Sequence, residues 1–226
     1  MLGLAAGLLR LRLAVSRRRA SFFALMRRSS NVRQRLQFLK RRQFIVSMLT
    51  PTAEISVMLN AVVQDAINEQ INYELFSSYQ YLSMAAWCEH EQFVGCAKWL
   101  RIQSEEEYGH AMRLYDFLLA RNAPVKLKTI AAPEQKFASV ASVFEKALEQ
   151  EMKVTEQIDR LYELAFTEKA FAALVELEWF ITEQVEEEKT SREVVHKFKM
   201  VKDDPSALLD LDRDLGGRAA APSADA

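Results

Sequence analysis

The 226-residue chain is 50% hydrophobic and 27% charged with a formal net charge of −1, a balance that supports one globular domain with tails and excludes a disordered polyelectrolyte. Its two cysteines, Cys88 and Cys96, are too few and wrongly spaced for a zinc knuckle, a Cys-x-x-Cys redox pair or a disulfide framework, and read as buried free thiols in a reducing compartment. No apolar run is long enough to span a bilayer, because Arg10 and Arg12 interrupt the first candidate.

The small net charge conceals two unlike parts. No Asp or Glu precedes Glu54, whereas arginines and lysines recur from Arg10 to Arg42. Residues 1–47 therefore read either as an organellar transit peptide or as sequence upstream of a start at Met48 or Met58. A basic arm that touches DNA or anionic lipid is a third reading. Residues 48–58 form a lead-in. The remainder is acidic, which attracts cations and disfavours nucleic acid as a partner.

Breaker residues partition that remainder. No proline lies between Pro51 and Pro124 or between Pro133 and Pro205, and glycine is scarce in both spans, so both read as helix. The first helix is expected at about 59–87, with Ile67, Ile71, Ser78, Leu82 and Ala85 near one face. A polar break at Glu89 to Gln92 precedes the second, at about 93–121, which turns Ala97, Leu100, Ala111, Leu114 and Leu118 inward. Its interior Gly109 costs about 1 kcal/mol of helix propensity and implies close packing there. Residues 122–138 have no helical period and are long enough, extended, to travel back along a helix. A third helix is expected at about 140–166, a fourth at about 170–201, and a short fifth from Ala207 to Leu215, closed by Gly216 and Gly217. The chain thus divides into a bundle over 59–202, a fifth helix over 203–217 and a disordered tail over 218–226. Two hairpins joined by one long crossover make an all-α four-helix bundle.

Each apolar stripe is interrupted near its middle by an acid. Ile67, Ile71, Glu74, Ser78 and Tyr81 advance by three or four, as do Leu100, Glu107, Ala111 and Leu114 in the second helix. The third gives Leu148, Glu151, Thr155 and Ile158, and the fourth gives Phe180, Gln184, Glu187, Ser191 and Val194. One such acid can sit at a stripe edge and snorkel to water. Four at matched depth call for cations or protons, because an uncompensated buried carboxylate costs several kcal/mol. Glu107 and His110, three apart, share a helix face, and oxygen-rich ligation with a single imidazole suits a pair of iron ions.

These residues carry a resemblance. The segments Asn-Glu-Gln-Ile-Asn-Tyr-Glu-Leu at 68–75, Glu-Glu-Tyr-Gly-His at 106–110 and Glu-Gln-Val-Glu-Glu-Glu at 183–188 are similar, in order, to the signature blocks of the bacterial non-haem ferritins, over about 59–217. The resemblance implies a ferritin-like bundle whose first iron site is Glu74, Glu107 and His110. It implies a second site from Glu107, Glu151 and Glu187, with Glu107 bridging. Gln184 and Tyr81 match catalytic neighbours of that centre, and Trp179 a nearby tryptophan. Glu106, Glu183 and Glu186, with Glu187 shared, match a third, inner iron site.

The implied activity is ferroxidase: Fe(II) is oxidised by O2 or H2O2 and stored as ferric oxyhydroxide inside a hollow 24-subunit homo-oligomeric shell, in the cytoplasm or, if the extension is a transit peptide, in an organelle such as the mitochondrion. No haem is expected, since Glu187 is followed by Glu188-Lys189-Thr190 rather than completing a second Glu-x-x-His, and Tyr108 follows Glu107. Neither membrane nor nucleic acid is expected as a partner. A DNA-binding mini-ferritin-like protein and a diiron oxidase or peroxidase of the rubrerythrin type are the alternatives.

Overall fold

The computed structural model describes residues 59–219. The basic extension at 1–47, the lead-in at 48–58 and tail residues 220–226 lie outside the described residues. Five helices and no strands occur among the described residues: α1 (Ala61–His90), α2 (Val94–Ala120), α3 (Val140–Thr167), α4 (Phe171–Val201) and α5 (Pro205–Gly216). The ends differ from expectation in two places. α1 continues through Glu89 and His90 before turning, and α5 begins at Pro205, because proline suits the first helical position and Asp204 Oδ1 caps Ala207 N at 2.9 Å.

Glycine ends none of the first four helices. Gln92, Asn122, Lys169 and Lys202 have positive φ, between 53° and 68°. Each of these non-glycine residues costs about 1 kcal/mol. At the first three, the following amide reaches back five residues to close the end: Phe93 N to Cys88 O, Ala123 N to Leu118 O and Ala170 N to Ala165 O. Helix starts are capped by Asn60, which accepts from Val62 N, and by a reciprocal Ser139–Ser142 box.

α1 packs on α2, α3 on α4, and α1 also lies along α3. The crossover from residue 122 to 138 is held against α1 by side-chain amides that imitate a neighbouring strand. Asn68 accepts from Lys126 N and donates to Pro124 O, Asn72 accepts from Lys128 N and donates to Lys126 O, and Gln80 accepts from Glu134 N. Trp87 meets Phe137 edge to face at 5.7 Å where the crossover ends.

α5 docks on the start of α2, whose N-cap position, Phe93, offers no side-chain acceptor. Asp212 supplies the cap from α5, accepting from Gly95 N at 3.1 Å and Cys96 N at 2.8 Å. The approach is so close that a Cβ on Gly95 would lie 1.8 Å from Asp212 O, so only glycine fits there.

Gly109 behaves differently from expectation: a Cβ there would meet no atom within 4 Å, since the residue faces away from the bundle. Leu82 is likewise 48% exposed, because its neighbour Tyr81 is the one turned inward.

The core falls into two apolar halves. One gathers Met84, Leu100, Phe144 and Phe198 with Leu211 and Leu215 of α5, and the other gathers Ile67, Ile71, Leu114, Ile158, Leu177 and Phe180. Between them lies a layer of buried polar side chains.

Candidate metal centre

That layer is built from the acids that interrupt the helical stripes. Glu74 of α1, Glu107 of α2, Glu151 of α3 and Glu187 of α4 are all at most 5% exposed, and Tyr81, Gln103, Gln184 and His110 are buried with them. An amphipathic helix buries whatever lies on its inner stripe, so an acid in register with leucines is carried inward by its neighbours.

Glu74, Glu107 and His110 each offer a ligand atom within 4.8 Å of the others, and His110 Nδ1 lies 3.7 Å from Glu107 Oε2. Glu74 Oε1 accepts from Gln70 Nε2 at 2.9 Å, but Glu74 Oε2 and both oxygens of Glu107 are buried with no hydrogen-bond partner. Leaving such groups unpaired costs about 1–3 kcal/mol each, more when charged. Burial first, and then the charge of Glu107, pushes the Glu74 carboxyl from 4.5 up to about 8. Glu107 is raised well above the carboxylate range by burial and by Glu151 and Glu187.

Among the described residues, a second grouping joins His110 to Glu183 and Glu187. Glu151 stands outside both and is held by donors: Tyr81 Oη donates to its Oε1, and Gln184 Nε2 lies 3.4 Å from its Oε2. Burial and the charge of Glu187 nevertheless raise Glu151 to about 8, against those two hydrogen bonds. The tyrosine itself is pushed well above its usual value by burial and by Glu151. Glu106 is half-buried and paired with Arg218, and Glu186 is exposed, so neither joins a grouping.

Aromatic contacts fix the imidazole. Trp179 meets His110 edge to face at 5.3 Å, and Arg113 lies 4.2 Å over the Trp179 ring while pairing with Glu176 at 2.6 Å. Three participants are not evident from sequence patterns of acids alone. Gln70 and Gln103 sit four residues before Glu74 and Glu107, a spacing that could have found them. Arg218, assigned by sequence to the tail, carries no such signal.

The donor set fits hard, positively charged ions. Carboxylate oxygens dominate, one imidazole is present, and the buried oxygens of Glu74 and Glu107 that lack a hydrogen-bond partner can turn to a cation when their carboxyls give up a proton.

The chain belongs to the ferritin-like domain family, whose model matches residues 64–201. It is 34% identical over 161 residues to the bacterial non-heme ferritin of Staphylococcus aureus (strain USA300), covering 71% of this chain and 97% of that protein. To the bacterial non-heme ferritin of Staphylococcus epidermidis it is 36% identical over 162 residues, covering 72% and 98%. Among solved structures, the open pore ferritin of the archaeon Archaeoglobus fulgidus superimposes with a TM-score of 0.71 at 38% identity, over 72% of this chain and 99% of that one. A humanized archaeal ferritin gives 0.72, also at 38% identity, over 73% and 99%.

Proposed function

We propose that this chain is the subunit of an iron-storage ferritin that oxidises Fe(II) within each subunit and stores the ferric product as oxyhydroxide inside a 24-subunit shell. One observation carries the reading: fully buried Glu107 has both oxygens unpartnered, with Glu74 and His110 close by and the charges of Glu151 and Glu187 within reach. Glu74, Glu107 and His110 hold the first ferrous ion. Glu107, Glu151 and Glu187 hold the second, with Glu107 shared, so that two one-electron donors meet one oxidant, O2 or H2O2.

The raised carboxyls give this centre a proton balance. Glu74, Glu107 and Glu151 are held toward their protonated forms near neutral pH, so binding of Fe(II) releases protons as the carboxylates become ligands. Tyr81 and Gln184 orient Glu151 and remain beside the second ion as donors. The bacterial relatives favour a cytoplasmic site of action.

The test is Glu107→Ala in the assembled particle. Rapid Fe(II) oxidation at low iron-to-subunit ratio should be lost while particle size is kept. Near-normal rapid oxidation would overturn the assignment.

A further inference from the structure

Arg218 follows the end of α5 and folds back onto α2. Its Nη1 donates to Gln103 Oε1, and its Nη2 reaches Glu106 Oε2 at 2.9 Å and Oε1 at 3.2 Å. The guanidinium also lies 4.8 Å over the Trp99 ring. Lysine, a point charge without a planar fork, could not make this set of contacts together.

The consequence passes through Gln103, which is completely buried. With its oxygen accepting from Arg218, its amide nitrogen is left to donate, and it does so to Glu187 Oε2 at 3.0 Å. Arg218 and Glu187 together fix which way that amide points, and without Arg218 only the bond to Glu187 holds it. The other half of the fork holds Glu106, a carboxylate close enough to Glu187 and Glu183 to feel their charge.

We propose that Arg218 is a positioning residue for the diiron centre: through the Gln103 amide it aims Glu187 at the second ion, and by occupying Glu106 it denies that carboxylate to a third. This rests on the reading of Glu187 as an iron ligand. It also makes the segment just after α5 part of the site's machinery, with Glu106 paired to the chain's own guanidinium.

The test uses full-length protein and Co(II), a redox-inert probe under anaerobic conditions, titrated by calorimetry and by its ligand-field absorbance. Wild type should bind two ions per chain. Arg218→Ala should weaken the second by about tenfold, the usual cost of losing an outer hydrogen-bond partner, and should admit an additional weak ion per chain. Gln103→Leu should weaken the second ion similarly without admitting another, since Arg218 still holds Glu106. Arg218→Lys should also admit no extra ion. Unchanged second-ion affinity in both Arg218→Ala and Gln103→Leu would overturn the positioning role, and no additional ion in Arg218→Ala would overturn the occupancy of Glu106. Failure of wild type itself to bind two ions would instead remove the diiron reading on which the proposal stands.

Discussion

Replacing Glu74 with glutamine should stabilise the metal-free protein, and increasingly so as pH rises. Glu74 is fully buried, and its carboxyl is raised from 4.5 to about 8, first by burial and then by Glu107. Because the folded-state value lies above the unfolded one, the contribution of Glu74 to stability is intact below about pH 4.5 and is lost progressively as pH rises through about 8. At about 1.4 kcal/mol per pH unit, that span corresponds to at most roughly 5 kcal/mol. Glutamine has nearly the same shape and no charge to desolvate. Its oxygen can keep accepting from Gln70, and its amide group replaces the unpartnered Oε2 with a donor toward Glu107. In chelator-treated protein, urea midpoints of wild type and Glu74→Gln should nearly coincide at pH 5 and separate in favour of the variant, by several kcal/mol, at pH 8. A difference that does not grow with pH, or a variant less stable than wild type at pH 8, would refute the account of a carboxylate buried at the expense of stability.

Tyr81→Phe removes the hydroxyl that donates to Glu151, and should leave Co(II) stoichiometry unchanged while slowing Fe(II) oxidation by about tenfold in stopped-flow absorbance. Gly95→Ala should destabilise the fold by about 1–3 kcal/mol, read from urea midpoints, and expose Arg218 to trypsin as α5 is pushed off α2. Cys88, whose thiol is pushed up to about 12 chiefly by burial, and Cys96, raised further, should resist a thiol reagent at pH 8 until the protein is unfolded. Mass spectrometry of the protein from its native source should find no residues 1–47, and detection of the full-length mature chain would restore the basic arm as a working part.

What was legible in the sequence was periodic. Ile67, Ile71 and Tyr81 in α1, or Phe180 and Val194 in α4, mark an inner face because a helix repeats every 3.6 residues, and the same repeat shows that Glu74 and Glu187 share it. Scarcity of proline and glycine set the helix lengths, and the crossover followed from what was left over. The signal failed at single positions: Gly109 faces outward and Leu82 is exposed, since propensity and a loose stripe say nothing about what a neighbouring element covers.

The sequence by itself therefore determined the helices, their inner faces and the identity of the four buried acids, because those depend on contacts within a few residues along the chain. Only the tertiary structure decided how those acids are served. That Glu107 has no hydrogen-bond partner, that Tyr81 and Gln184 have claimed Glu151, and that Asp212 of α5 caps α2 are facts about side chains from different helices meeting in space. The link from Arg218 through Gln103 to Glu187 spans 115 positions and then 84, distances across which no local rule of spacing or propensity operates.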